Sequence, residues 1–375
     1  MDFTWTTEQR ALANAVRTFA EAEFAATAYA GERPPNFVRD RARLLAEHGY
    51  LGITFPTADG GQDGGLLDAI IVLREIARVC PHTGDVVQAY NFGVIRQLQE
   101  LADERGKERW LAPALRGEVL MSLAMSEPDA GSGLTNMRTT ARYDGDSVVI
   151  NGSKIFATHG VDADLVVTWC RFGREPDEIG VVVVPATTPG FQRDRAESFM
   201  SGERYCQMHF DNCRLPRDHV LVDRHAIRRM MPIFNVERLG NATRALALAE
   251  AAFDMARRHA TVRRIGDTLL KDLQGIRWKF ADMRMRLDAA ELLVLKAAAG
   301  GEHPGDEATA TAKVTANEAA FFVADQSLQI FGGAGYSTEF PLEYIFRRVR
   351  GWMIAGGSPE VLRNRIATNI FRGVI

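Results

Sequence analysis

The sequence predicts an α+β protein that is mostly α: a helical N-terminal domain, a middle antiparallel β-domain and a helical C-terminal bundle. Three observations carry this. Apolar residues recur at helical spacing in the first and last thirds of the chain. Short β-branched runs separated by turn residues fill the middle. At 375 residues the chain exceeds what one hydrophobic core usually covers. The boundaries fall at 1–118, 119–224 and 225–375.

Residues 6 to about 113 read as helices. Thr7 can cap a helix whose apolar stripe runs through Leu12, Val16 and Phe19. Leu67 to Val79 repeats the pattern, whereas Thr57 to Gly65 is glycine-rich and reads as a loop. Character changes near residue 120. Val148-Val149-Ile150, Leu165 to Trp169 and Val181 to Val184 read as strands, and Asp144-Gly145-Asp146 as a hairpin turn, in a small antiparallel barrel or sandwich. The strand signal ends at Arg214-Leu215-Pro216. From about 228 the chain is helical again. Met283, Leu287, Ala290 and Val294 draw one face, alanine-rich stretches at 243–252 and 307–320 favour close packing, and Gly300 to Gly305 breaks two helices. Long helices with short breaks make an antiparallel bundle.

The formal net charge of -3 gives no footprint for nucleic acid or an anionic membrane. Met1-Asp2-Phe3-Thr4-Trp5 lacks the character of a secretory signal, and there is no run of eighteen apolar residues. Cys80, Cys170, Cys206 and Cys213 are scattered without C-x-x-C spacing. Zinc and redox-pair chemistry are therefore not indicated, and free thiols in a reducing cytoplasm are expected.

Several segments carry chemistry. Met125-Ser126-Glu127-Pro128-Asp129-Ala130-Gly131-Ser132 is a turn-forming segment with hydroxyls at Ser126 and Ser132. By itself the segment reads first as an ordinary connector before the β-domain, though its backbone N–H groups and hydroxyls could supply the donors that a flavin ring's polar edge needs. Asn151-Gly152-Ser153-Lys154 is followed by Phe156 and Thr158; Phe156 is either a ring-packing aromatic or a core residue of a strand. Gln329-Ile330-Phe331-Gly332-Gly333-Ala334-Gly335-Tyr336 follows a long apolar helix. Its glycines mark a helix stop or a place where a ligand meets backbone. No strand precedes it, so it is not a Rossmann fingerprint. Arg263-Arg264-Ile265-Gly266-Asp267 is a basic helix end. Phe234-Asn235-Val236-Glu237-Arg238-Leu239 reads by itself as an ion pair at a helix start, and Ile354-Ala355-Gly356-Gly357-Ser358-Pro359-Glu360 lies near the C-terminus.

In this order these segments resemble the acyl-CoA dehydrogenase family of flavoproteins over nearly the whole chain. The resemblance implies an N-terminal helical domain, a middle β-domain and a C-terminal four-helix bundle that hold FAD. It puts Met125, Ser126, Gly131, Ser132, Phe156, Thr158, Ser358 and Glu360 on the flavin, with Arg263, Gln329, Gly332 and Gly333 reaching the FAD of a neighbouring subunit. Phe156 takes the place usually held by Trp. The Arg263 match is weak, because the family's Phe is replaced by Gly266 and Arg264 competes for the role. Arg347-Arg348-Val349-Arg350 and Arg204-Tyr205-Cys206 depart from the family's R-D-A-R and R-x-S, which marks a specialised member.

Most members carry the catalytic base as the first Glu of a C-terminal I-Y-E-G-T-x-E motif. Here Gly356 fills that position and cannot serve. α-Proton abstraction from a thioester needs a carboxylate placed in a dry pocket. A minority of the family, the isovaleryl-CoA dehydrogenase and crotonobetainyl-CoA reductase types, carry the base in an E-R-x pattern on a bundle helix. By that resemblance Glu237 is the base, and Ser132, Asn235, Arg238 and Gly356 border the substrate. Glu360 is the rival carboxylate in the segment from Ile354 to Glu360.

The resemblance therefore implies FAD-dependent α,β-dehydrogenation of an acyl-CoA or acyl-carrier-protein thioester, by a tetramer or dimer that passes electrons to an electron-transfer flavoprotein. Competing readings are enoyl-thioester reduction by the same residues, a flavin monooxygenase or oxidase, and a catalytically silent binding relative.

Overall fold

The computed structural model describes residues 5–29, 33–34 and 36–373. The first four residues of the segment read above as non-secretory lie outside them. The chain divides into two compact units.

The first unit comprises Met1–Glu32, Gly64–Gln88 and Phe234–Ile375. It opens with α1, Thr7–Phe24, which is capped by Thr6 rather than Thr7. The Thr6 hydroxyl accepts from the Gln9 N–H while the Gln9 side chain accepts from the Thr6 N–H, a reciprocal capping box. The buried stripe runs through Ala13, Val16, Ala20 and Phe24; Leu12 and Phe19 only flank it. These four are spaced three, four and four apart, on the side where α1 packs on α3. Elements of the other unit intervene in sequence: α2 spans Phe37–Glu47. α3 spans Leu66–Val79 and α4 Pro81–Asn91.

The second unit comprises Arg33–Asp63 and Ala89–Ile233. Besides α2 it contains α5, Val94–Leu101, then α6, Glu104–Gly106, a π turn and α7, Ala112–Leu115. Its sheet is built from β1 (Met121–Ala124), β2 (Thr140–Asp144), β3 (Ser147–Lys154), β4 (Leu165–Arg171), β5 (Ile179–Pro185) and β6 (Phe191–Arg193). β7 (Glu197–Ser198) and β8 (Arg204–Tyr205) form a separate hairpin, and β9 (Met208–Pro216) and β10 (Val220–Val222) return to the main sheet. The spatial order is β10-β5-β4-β2-β3-β9-β6. The two-residue turn Gly145-Asp146 joins β2 to β3, with Gly145 at φ +62°. Most pairs are antiparallel, but β1 runs parallel to β4, and β2 meets β4 in a single parallel bridge. Strand structure also continues past Pro216 into β10, which pairs with β5. The core is a cluster of inward side chains that includes Val148, Ile150, Val166, Val182, Met208 and Phe210.

The rest of the first unit is the bundle: α8 (Ala226–Val262), α9 (Gln274–Ala298), α10 (Asp306–Phe331), the short α11 (Gly333–Tyr336), α12 (Leu342–Ile354) and α13 (Pro359–Phe371). A two-strand hairpin, β11 (Arg264–Ile265) with β12 (Thr268–Leu269), links α8 to α9. Met283, Leu287, Ala290 and Val294 are buried on α9, and alanines dominate the buried faces of α8 and α10, so backbones approach closely. The Arg74 guanidinium ties α3 to the bundle through Glu250 of α8 and Glu291 of α9, each at 2.6 Å. All four cysteines are free and buried. No described helix is long and apolar enough to cross a membrane.

Candidate active site

The predicted residues assemble into three groups. The first lies in the β-containing unit, where β1 leads into the loop of Met125, Ser126, Gly131 and Ser132 and β3 leads into Phe156 and Thr158. Two contacts fasten these loops together. The Ile155 N–H donates to Ser126 O at 2.9 Å. Lys154, buried at the end of β3, donates to Met125 O at 3.0 Å and to Glu127 Oε1 at 2.8 Å. Glu127 is itself buried and also accepts from the N–H groups of Arg138 and Thr139, at 2.5 and 2.9 Å. Burial acts to raise the Glu127 carboxyl, but the Lys154 ammonium and these backbone donors hold it below the ordinary carboxylate range.

Sequence reasoning missed this buried ion pair. The signal was present as a Glu in the first loop and a Lys ending the N-G-x-K string. A buried carboxylate and a buried ammonium require one another.

Phe156 is no core residue: it follows the end of β3, has φ +62° and is 52% exposed. It packs on Tyr205 and Phe199, with ring centroids 5.1 and 5.8 Å away, in an open aromatic patch. Thr158 is also exposed, and its carbonyl accepts from Ser122 Oγ at 2.7 Å. A Cβ built on Gly131 would meet nothing within 4 Å. The backbone here is open to a flat ligand, and the exposed aromatic and hydroxyls suit one with an apolar ring and polar edge.

The second group lies where α8 and α10 end. Arg263 follows α8, Gln329 lies in the last turn of α10, and Gly332 caps that helix at φ +63° and ψ -138°, backbone open essentially to glycine alone. The ring of His259 stacks on Phe331 with centroids 4.0 Å apart, joining the two helix ends. Arg263, Gln329, Gly332 and Gly333 are all exposed, and neither glycine has an atom within 4 Å of an added Cβ. Only Gly335 is closed in, 2.6 Å from Leu328 O. Helix stop and open backbone therefore coexist in one string.

The third group surrounds the turn of Ala355–Gly357 between α12 and α13. α8 begins at Ala226, so Glu237 sits well inside the helix and not at its start. Nor does Arg238 bond to Glu237: adjacent helical residues do not face each other. Arg238 Nη1 instead donates to Asn235 Oδ1 at 2.8 Å and to Asp306 Oδ1 at 3.3 Å, and its Nε donates to Gly356 O at 3.3 Å. Asn235 is buried and donates to Pro304 O at 3.1 Å.

Gly356 has φ +71°, and a Cβ placed on it would lie 2.8 Å from Glu237 Oε2. The half-buried Glu237 carboxylate thus lies against Gly356, one of the two glycines of the turn. Glu360 is different. It stands exposed in the first turn of α13, where the Ser358 hydroxyl and its own backbone N–H lower its carboxyl below the ordinary range. Ser358 is the N-cap of that helix.

Three family descriptions match: the acyl-CoA dehydrogenase N-terminal domain over residues 6–118, the middle domain over 122–213 and the C-terminal domain over 227–371. The chain belongs to the acyl-CoA dehydrogenase family. It is 31% identical to the 3-sulfinopropanoyl-CoA desulfinase of Paraburkholderia xenovorans strain LB400, covering 97% of this chain and 96% of the relative. It is also 31% identical to the short-chain specific acyl-CoA dehydrogenase of Clostridium acetobutylicum, covering 99% and 100%. Among solved structures, butyryl-CoA dehydrogenase from Megasphaera elsdenii aligns with a TM-score of 0.92 at 27% identity, over 99% of this chain and 100% of that one. Acyl-CoA dehydrogenases are flavin oxidoreductases that use FAD, and the open glycines and exposed Phe156 fit such a group.

Proposed function

We propose that the protein carries out FAD-dependent α,β-dehydrogenation of an acyl thioester, with Glu237 as the base. The observation that carries this is the Glu237 carboxylate lying against the turn at Gly356. A carboxylate reaching this point from α8 supplies the function that a turn carboxylate would supply. Bound FAD furnishes the hydride acceptor for the β-carbon. Glu237 takes the α-proton. Arg238 and Asn235 border the thioester carrier and, through their mutual bond, hold the helix face beside Glu237. The hydroxyls of Ser126, Ser132 and Thr158, with Met125, the loop N–H groups and the open backbone at Gly131, orient the flavin's polar edge, while Phe156 packs on its ring. Ser358 and Glu360 complete the cofactor's surroundings near the turn.

Glu237 and the end of α8 are about 25 residues apart, roughly 37 Å along the helix axis. Arg263, Gln329, Gly332 and Gly333 are therefore remote from the base of their own chain. This supports their serving the FAD of a neighbouring copy, and hence a homo-oligomer, a tetramer or a dimer. The exposed apolar side chains Val262 and Ile265 beside Arg263 suit burial in such an assembly. An electron-transfer flavoprotein is the acceptor the family suggests. The free thiols suit the cytoplasm.

The test is anaerobic addition of a panel of acyl-CoA and acyl-carrier-protein thioesters to the yellow protein, with light scattering for assembly. A dehydrogenase substrate bleaches the flavin without oxygen. The panel includes 3-sulfinopropanoyl-CoA, because a relative is named for its desulfination. Sulfite release without bleaching, and no bleaching by any other thioester, would replace the dehydrogenase reading.

A further inference from the structure

The turn of Ala355–Gly357 has no side chain larger than a methyl group, yet three donors from two helices hold its three carbonyls. Asn241 Nδ2 donates to Ala355 O at 3.5 Å, Arg238 Nε to Gly356 O at 3.3 Å, and Lys313 Nζ to Gly357 O at 2.8 Å. Asn241 is itself bonded by Asn317 Nδ2 at 3.1 Å. Lys313 also reaches Trp352 O at 3.4 Å, a carbonyl in the last turn of α12, where helical carbonyls lack partners within the helix.

Lys313 is fully buried, and nothing in the chemistry above uses it. A buried ammonium is costly unless compensated. The neighbouring charges that act on it all come from α8: Glu237 favours the cation, while Arg238 and Arg244 oppose it. α12 and the turn offer carbonyl oxygens. The other nearby ionised groups are engaged elsewhere: Asp306 of α10 with Arg238 and Arg365, and Arg348 of α12 with Asp85. Burial pushes the Lys313 ammonium down to about 8.

We propose that Lys313 is a positioning residue for Glu237: its ammonium locks the glycine turn beside the carboxylate and supplies the counter-charge that favours the base in its ionised form. This rests on Glu237 being the base. A structural clamp alone would alter rate or stability. A counter-charge must also alter the pH at which the base becomes competent.

The experiment is stopped-flow flavin reduction from pH 5 to 9 in wild type, Lys313→Met, Lys313→Gln and Glu237→Gln, using the acyl-CoA that bleaches wild type most rapidly. FAD content and melting temperature confirm folding. In Lys313→Met the plateau rate is expected to fall roughly tenfold to a hundredfold, the scale of a misplaced catalytic group. Its pH midpoint is expected to rise by about one unit on losing a nearby positive charge. Lys313→Gln keeps a donor without a charge, so it should regain part of the plateau rate and keep the raised midpoint; it carries the test alone if the Met variant does not fold. A wild-type midpoint in the folded variants, with Glu237→Gln inactive, overturns the Lys313 proposal and leaves the base in place. Wild-type reduction by Glu237→Gln overturns both.

Discussion

Glu237 occupies the space that a side chain at Gly356 would need: a Cβ there would fall 2.8 Å from Glu237 Oε2, so the carboxylate would have to shift. The backbone at 356 is also left-handed, at φ +71°, where L side chains are strained. One carboxylate can reach this point from α8 or from the turn; for a side chain to enter from the turn, that of Glu237 has to swing away.

Replacement of the base tests its assignment most directly. Glu237→Gln preserves shape and removes basicity. FAD binding and melting temperature should match wild type, and flavin reduction should fall by about 10²- to 10⁴-fold, the usual contribution of a positioned general base. Glu360→Gln should cost far less, because Glu360 is exposed at the start of α13. Equal losses in rapid-mixing traces of the two variants would mean that Glu237 has no special role.

Moving the carboxylate follows from this overlap. Gly356→Glu in the wild-type background should lower both the melting temperature and the rate, since it adds backbone strain of about 1–2 kcal/mol and pushes Glu237 aside. Combining it with Glu237→Gln leaves the amide in the same space, so little activity returns. Combining it with Glu237→Gly clears that space and should recover part of the activity lost in Glu237→Gly alone. Identical rates in the two Glu237→Gly backgrounds would show that the turn cannot deliver a carboxylate.

The ion pair under the β-unit loops makes a stability prediction. Glu127→Ala strands the buried Lys154 ammonium, and breaking such a pair costs about 3–5 kcal/mol. Denaturant unfolding should show this loss, and FAD titration should weaken with it because both loops move. The Glu127 carboxyl is depressed in the folded state, so its contribution is present above its unfolded pKa and fades as pH falls through the folded value. Glu127→Ala should therefore flatten the acid side of the stability curve.

Lys313 predicts the opposite limb. Its folded pKa is lowered from 10.5 to about 8, so between those values the unfolded chain binds a proton that the folded chain lacks. Stability should rise with pH across this window, by on the order of 3 kcal/mol from this group. Melting temperatures of wild type and Lys313→Met, measured from pH 7 to 10.5, should differ by a pH-dependent increment with that sign. A constant difference across the window contradicts the buried ammonium.

Much of the architecture was legible because local patterns are written in residue identities. The 4-3-4 spacing of Met283, Leu287, Ala290 and Val294 places them on one face of α9, and all four are buried. Asp144-Gly145-Asp146 marked the β2–β3 turn because only glycine takes its left-handed position without strain. Errors fell at element ends. Thr6 outcompeted Thr7 because Gln9 stands three residues after it to close the box. α8 begins at Ala226 and runs on through Pro232, so Glu237 lies inside the helix and not at its start. A polar stripe was also readable and passed over: Thr309, Lys313 and Asn317 recur every fourth residue on α10, and all are buried.

By itself, the sequence determined most of the elements and the family, and it put a carboxylate at 237 and none at 356, since each depends on which residue stands at a given position. Only the tertiary structure decided what surrounds that carboxylate. Arg238 meets Gly356 across 118 residues and Lys313 meets Gly357 across 44. In both contacts the acceptor is a backbone carbonyl. Every residue type carries that same group, so the partner leaves no mark in the sequence, and only the packing of α8, α10 and α12 selects which carbonyl it will be.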